Sequence, residues 1–171
     1  PQPNATIAGT TPFCASDLPF QLTAASVGGT WSGNGVTNTL LGTFDPSVAG
    51  PGSHVITYTN TFGTCTSTDT ETVKVDAIPN VTITAAGPFC VGGAPVNLTA
   101  ANATSYTWSP GGLTTTIITV SPTLTTLYTL AGTSTAGCTS TNAPTQAITV
   151  YTLPVLSTGT PSTAVCLGAN A

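Results

Sequence analysis

A chain of 171 residues carries one Lys or Arg against five Asp or Glu, a formal net charge of −4, with 4% of its residues charged, where an ordinary soluble domain has roughly 25%. One cation, Lys74, cannot neutralise a run of phosphates, which excludes nucleic-acid binding, and no stretch approaches the ~18 consecutive apolar residues of a membrane helix. At 40% hydrophobic and a mean hydropathy of +0.31, the chain is too apolar for a disordered segment, so it folds, with threonine hydroxyls and amides keeping its surface wet.

Taken in chain order, short Thr- and Val-rich runs alternate with clusters of Gly, Pro, Asn and Ser, which predicts an all-β sandwich. The predicted strands are Ala5 to Ala8, Phe20 to Ala25, Gly29 to Ser32, His54 to Thr61 and Thr70 to Val75. A second series follows at Val81 to Ala85, Val96 to Ala100, Ser105 to Trp108, Thr116 to Val120, Thr126 to Gly132 and Gln146 to Tyr151. Apolar residues alternate at period two in Phe20-Gln21-Leu22-Thr23-Ala24 and in Val96-Asn97-Leu98-Thr99-Ala100, so one face of each strand enters the core. Trp31 and Trp108 sit where a central strand carries its largest core residue, and are read as core rather than ligand-stacking residues.

The two series are copies. PNATIAGTTPFC ends at Cys14, PNVTITAAGPFC ends at Cys90 and PVLSTGTPSTAVC ends at Cys166, so these cysteines recur at intervals of 76 residues. Repetition on this scale marks a tandem array: residues 1–77 form repeat 1, residues 78–152 form repeat 2 and residues 153–171 open a third. The chain reads as an excerpt of a longer exported protein. Units this small usually need a staple, and the repeat makes Cys14 with Cys65, and Cys90 with Cys138, the most economical pairing, one disulfide per sandwich. Closing a loop of about 50 residues contributes roughly 4 kcal/mol on the chain-entropy model. Cys166 is left for a partner in the rest of its own repeat. Zinc is disfavoured, because no two cysteines have the spacing of a zinc knuckle and the single histidine, His54, has no counterpart in repeat 2. Disulfides place the protein in an oxidising compartment, outside the cytoplasm.

No catalytic constellation emerges. His54 is the one general base and reads as a packed strand residue with one hydrogen bond. Asp45, before Pro46, reads as a turn residue, and Asp17, Asp69, Glu71 and Asp76 are scattered at loop or strand ends without the spacing of a calcium loop. An isopeptide crosslink from Lys74 is disfavoured because Val73 and Val75 take the inward positions of their strand. Sequons at Asn4, Asn80, Asn97 and Asn102 are what a threonine-rich chain produces by chance.

Repeat 2, with PFCVGGAPVNLTAANATSYTWSPGG and TVSPTLTTLYTLAGTSTAGCTST, resembles the immunoglobulin-like repeats of very large Bacteroidota surface proteins. Repeat 1, with GGTWSGNGVTNTLLGTFDPSVAGPGSHVITYT and GTCTSTDTETVKV, is similar to a sister type described as PKD-like or Ig-like. The resemblance implies tandem immunoglobulin-like β-sandwiches in an exported adhesin-like or filament-forming protein, commonly delivered by type IX secretion, with gliding adhesins among its relatives. It carries no catalytic residues and no cofactor. The function expected is a structural repeat segment of an extracellular bacterial surface filament or adhesin. Its modules form a stiff rod with few sites for trypsin-like proteases, and it partners neighbouring repeats and copies of itself. In a variant, residues 154–171 complete a sandwich in another subunit. The alternatives are a glycan- or protein-binding module, marked by exposed aromatics among Tyr106, Tyr128, Tyr151 and Phe62, and a spacer appended to a secreted hydrolase.

Overall fold

The computed structural model describes residues 3–9, 12–85, 87 and 89–152. Cys166 and the expected opening of a third repeat lie outside them. The chain divides into two compact units between Ile78 and Pro79, and both are all-β.

In the first unit, β1 (Phe13–Cys14), β2 (Phe20–Gln21), β3 (Thr30–Ser32), β4 (Val36–Asn38) and β5 (Thr43–Phe44) are short. A single helical turn, α1 (Pro46–Ala49), precedes the long strands β6 (Gly52–Phe62) and β7 (Cys65–Asp76). Strands β1, β7, β6 and β3 form one sheet in that order, and β2, β5 and β4 form the other. Between them lie Leu22, Trp31, Phe44, Ile56, Tyr58, Val73 and Val75. Alternation along β6 sends Ile56, Tyr58 and Asn60 inward; the one polar member, Asn60, donates through Nδ2 to the carbonyl of Val27 at 3.3 Å. The β6–β7 hairpin closes through Gly63-Thr64, with Phe62 opposite Cys65 and Gly63 at φ 61°, a conformation glycine adopts at little steric cost in two-residue hairpin turns.

The expected first strand, Ala5 to Ala8, is reduced to one bridge, Ile7 to Ala24. The segment is held instead by Ile7 N donating to Asp69 Oδ2 at 2.9 Å. Asp69 and Glu71 therefore lie within β7 rather than at an element end. Of the expected strand Phe20 to Ala25, the first two residues form a ladder, yet Leu22 still points into the core. Its backbone N–H bonds to Gly42 while Ala25 N bonds to Thr6, so the segment is pinned from both sides without a continuous partner.

The second unit contains β8 (Thr82–Ala85), β9 (Phe89–Cys90), β10 (Val96–Ala101), β11 (Ser105–Ser109), β12 (Ile117–Val120), β13 (Thr126–Thr133), β14 (Thr145–Ile148) and β15 (Val150–Tyr151). Sheet β12-β10-β8 and sheet β11-β13-β14 enclose the core, and β9 pairs with β15. Leu98 is opposed by Ile118 on one side and Ala85 on the other, while Trp108 is opposed by Leu130. All but Ala85 are at most 3% exposed. Each tryptophan belongs to the interior of its own unit.

The two units share one unusual device. In each, the strand carrying the first cysteine pairs in parallel with the end of the closing strand: Phe13 with Val75 and Cys14 with Asp76, then Phe89 with Val150 and Cys90 with Tyr151. This geometry overturns the expected pairing of Cys14 with Cys65. Cys65 begins the twelve-residue β7 and Cys14 is registered against Asp76 at its other end, so about 36 Å of strand separates them. A disulfide tolerates a Cα separation of about 7 Å at most, and Cys65 is a free, exposed thiol. The same reasoning removes the expected pair of Cys90 with Cys138. Cys90 lies beside β15, whose Val150 N bonds to Thr125 at the start of β13. Cys138 bonds to Ser134, past the far end of β13, and that eight-residue strand spans about 23 Å. Cys14, Cys90 and Cys138 are all disulfide-bonded, but neither sandwich is closed by a bridge between its own two repeat cysteines.

Candidate functional site

A groove of about 240 Å³ opens in the first unit above Trp31, lined among others by Leu22, Val27, Leu40, Leu41 and Tyr58. The turn Asn38–Gly42 makes one wall. The Asn38 side-chain oxygen accepts from the backbone N–H groups of Leu40 and Leu41 at 3.0 and 2.9 Å, and Gly42 N bonds to Asn38 O. With its backbone satisfied from within, the turn leaves both leucines largely exposed, as is Val27 on the opposite wall. Sequence reasoning missed this feature. Its signal is the pair Leu40-Leu41 between Asn38 and Gly42, where apolar residues occupy a turn.

The floor is rigid. Tyr58 packs against Trp31 with ring centroids 4.4 Å apart. Its hydroxyl donates to Ser26 O at 2.7 Å and accepts from Gly29 N at 2.8 Å. Both capacities are used within the fold, so Tyr58 has no proton to offer a ligand. A Cβ at Gly29 would stand 2.4 Å from Thr59 O, so the close approach requires glycine. In the second unit Trp108 is fully buried and donates through Nε1 to Thr115 O at 2.9 Å. Nothing among the described residues accepts from Trp31 Nε1.

The ionisable residues are dispersed and each has a local task. His54 makes two contacts rather than one: Nε2 to Gly50 O at 2.8 Å and Nδ1 to Asn34 Nδ2 at 3.2 Å. With an amide at Nδ1 and a carbonyl at Nε2, both ring nitrogens are engaged within the fold. Asp45 caps α1, accepting from Ser47 N at 2.9 Å and Ser47 Oγ at 2.6 Å, bonds that hold its carboxyl below the ordinary carboxylate value. Asp17 accepts from Cys14 N at 2.8 Å. Lys74 faces solvent and pairs with Asp76 at 2.7 Å. Among the described residues no three His, Cys, Asp or Glu side chains gather as metal ligands.

Aromatic faces are mostly hidden. Tyr106 and Tyr128 are buried, while Phe62 and Tyr151 are 65% and 53% exposed, one in each unit. Phe62 stands directly across the hairpin from Cys65, so the tip of β6–β7 presents an aromatic ring and a thiol together. The corresponding cysteine of the second unit, Cys138, is 1% exposed.

No family model matches the chain, and no curated protein matches it. Among solved structures, SGBP-B of the Bacteroides ovatus mixed-linkage glucan utilization locus, in complex with a mixed-linkage heptasaccharide, is similar over 89% of this chain and 68% of that one, at 12% identity and a TM-score of 0.30. A similarity this slight carries no argument about a ligand. No helix among the described residues is long and apolar enough to cross a membrane.

Proposed function

We propose that the chain is a structural segment of an exported surface filament or adhesin, built from tandem immunoglobulin-like modules whose output is mechanical spacing and display. The observation that carries this reading is the repeated device itself: two units place Phe-Cys on a short strand parallel to the end of their closing strand, at Phe13–Cys14 and at Phe89–Cys90. The bonded state of Cys14, Cys90 and Cys138 fits an oxidising compartment. The dispersed carboxylates and the saturated Tyr58 supply no acid–base pair, so the reading assigns no catalysis to these residues.

A ligand-binding role for the groove above Trp31 finds less support. Its exposed walls are aliphatic, and the aromatic faces that would stack a sugar ring are buried beneath them.

Labelling intact cells with a membrane-impermeant, hydroxyl- or carboxyl-directed reagent tests the proposal. Modification of this segment on whole cells is the expected result, and modification seen only after lysis would contradict it.

A further inference from the structure

We propose that the outward face of the tryptophan-bearing sheet in each unit is a lateral contact surface that packs against a second copy of this chain. The inference rests on the surface-filament reading and deepens it by naming the face through which copies associate.

The first observation is recurrence. In the first unit, register stacks hydroxyls across β3, β6 and β7 in two rows, Thr30 with Thr59 and Thr68, and Ser32 with Thr57 and Thr70. In the second, β11, β13 and β14 align Ser109, Thr129 and Thr145, with Thr107 beside Ala131 and Leu127 beside Ala147. These positions alternate with the buried residues of their strands, Ile56 and Tyr58 in one unit, Tyr128 and Leu130 in the other.

The second observation is charge. All five carboxylates, Lys74 and His54 fall within residues 1–76, and residues 77–171 contain no Asp, Glu, Lys, Arg or His. Even in the first unit the rows are kept clear of carboxylates. Asp69 and Glu71 take the same side of β7 as buried Val73 and Val75, and Lys74 pairs with Asp76 at the strand's end. Copies therefore approach through these faces without the like-charge repulsion that keeps ordinary proteins apart.

The third observation is unused hydrogen-bonding capacity, and it separates the two faces of the second unit. On sheet β12-β10-β8 the outward groups serve one another: Thr119 Oγ1 donates to Asn97 Oδ1 at 2.8 Å, and Thr84 Oγ1 to Thr99 O at 3.4 Å. On the tryptophan-bearing sheet the hydroxyls of Thr107 and Thr145 have no partner among the described residues, and Thr129 has one long contact, 3.5 Å to Ser109 O. The six hydroxyls of the two rows in the first unit are likewise without partners among the described residues.

These features select the occupant. A hydroxyl both donates and accepts, so a face whose polar groups are hydroxyls is complementary to itself under a two-fold axis, whereas a charged face requires an unlike partner. The rows hold no aromatic ring on which a sugar could stack. Three strands about 4.8 Å apart and about seven residues long give a face of roughly 300 Å². Two such faces bury about 600 Å², about half of what a stable interface needs. One pair of modules therefore attracts weakly, and tandem modules along two chains add their contacts.

Static light scattering of the 171-residue chain, in a Cys65→Ser background, tests this in about 1 M NaCl, where the Debye length is about 3 Å. The expected osmotic second virial coefficient is negative. Thr68→Lys with Ala131→Lys places one charge on each face and should turn the coefficient positive. Thr37→Lys with Thr84→Lys adds the same charges at exposed positions of the opposite sheets and should leave it negative. Thr68→Glu with Ala131→Glu repeats the test with the other sign, and thermal melts verify that each variant is folded. A positive coefficient in the parent chain, or an equal shift from the two lysine pairs, would overturn the proposal. Whole-cell labelling separates the two claims: a positive coefficient for a surface-labelled protein removes the lateral contact but leaves the surface-module reading intact.

Discussion

Cys14 and Cys65 belong to one sandwich and stand at opposite ends of its longest strand, Cys14 against Asp76 and Cys65 at the hairpin turn. The first unit therefore holds together without a bridge between them, on the packing of Trp31, Phe44, Ile56, Val73 and their neighbours. In the 171-residue chain made alone, Cys65→Ser alters a free, exposed side chain, and the change in unfolding free energy should stay within about 0.5 kcal/mol. A native disulfide at that position would instead cost about 2–5 kcal/mol on removal. Denaturant titration under non-reducing conditions distinguishes the two.

Tyr58→Phe removes one hydroxyl that serves two backbone groups. The Ser26 carbonyl and the Gly29 N–H lose their partner together, beneath a tyrosine that is 2% exposed. Leaving such groups unmet costs about 1–3 kcal/mol, which lowers the melting temperature of the first unit by roughly 4 °C or more. Differential scanning calorimetry should show the transition of the second unit unmoved.

The two tryptophans should respond unequally to the same substitution. Trp108→Phe strips Thr115 O of its donor as well as removing ring volume, whereas Trp31→Phe removes volume with no such bond lost. Trp108→Phe is expected to destabilise its unit by about 1 kcal/mol more than Trp31→Phe does. Equal losses by calorimetry would contradict the role given to the Trp108 indole N–H.

Asp45 gives the first unit a pH dependence whose sign is fixed. Its bonds to Ser47 lower the carboxyl below its ordinary value in the folded state, so the stabilisation is present above the unfolded pKa and is lost as pH falls through the folded one. Asp45→Asn retains a side-chain acceptor but does not titrate. The advantage of the native protein over this variant should be full at neutral pH and should shrink progressively below about pH 4. Paired thermal melts across that range measure it.

Alternation made much of the core readable. Leu22, Leu98 and Ala100 point inward as period two requires, and Lys74 points outward between Val73 and Val75. The strand at residues 5–8 was not readable as a bridge, because its partner is the Asp69 carboxylate and a few backbone groups rather than a continuous edge. Strands β4 and β5 escaped notice because residues 36–44 show no alternation over a useful length, and Asp45 reads as a turn until its hydrogen bonds reveal a cap. The cysteines mislead for a geometric reason. Repeat spacing identifies equivalent positions, but it does not say at which end of a strand each one falls. Whether Cys65 meets or misses Cys14 depends on how far β7 runs before Val75 and Asp76 pair with β1.

The most direct test of the account is a disulfide map of the dilute, isolated 171-residue chain, taken after maleimide capping and acid digestion without reduction. The expected result is a capped Cys65 and no peptide joining Cys14 to Cys65 or Cys90 to Cys138. Recovery of either linked pair would mean that each sandwich is closed on itself, contradicting the placement of the two cysteines at opposite ends of their module.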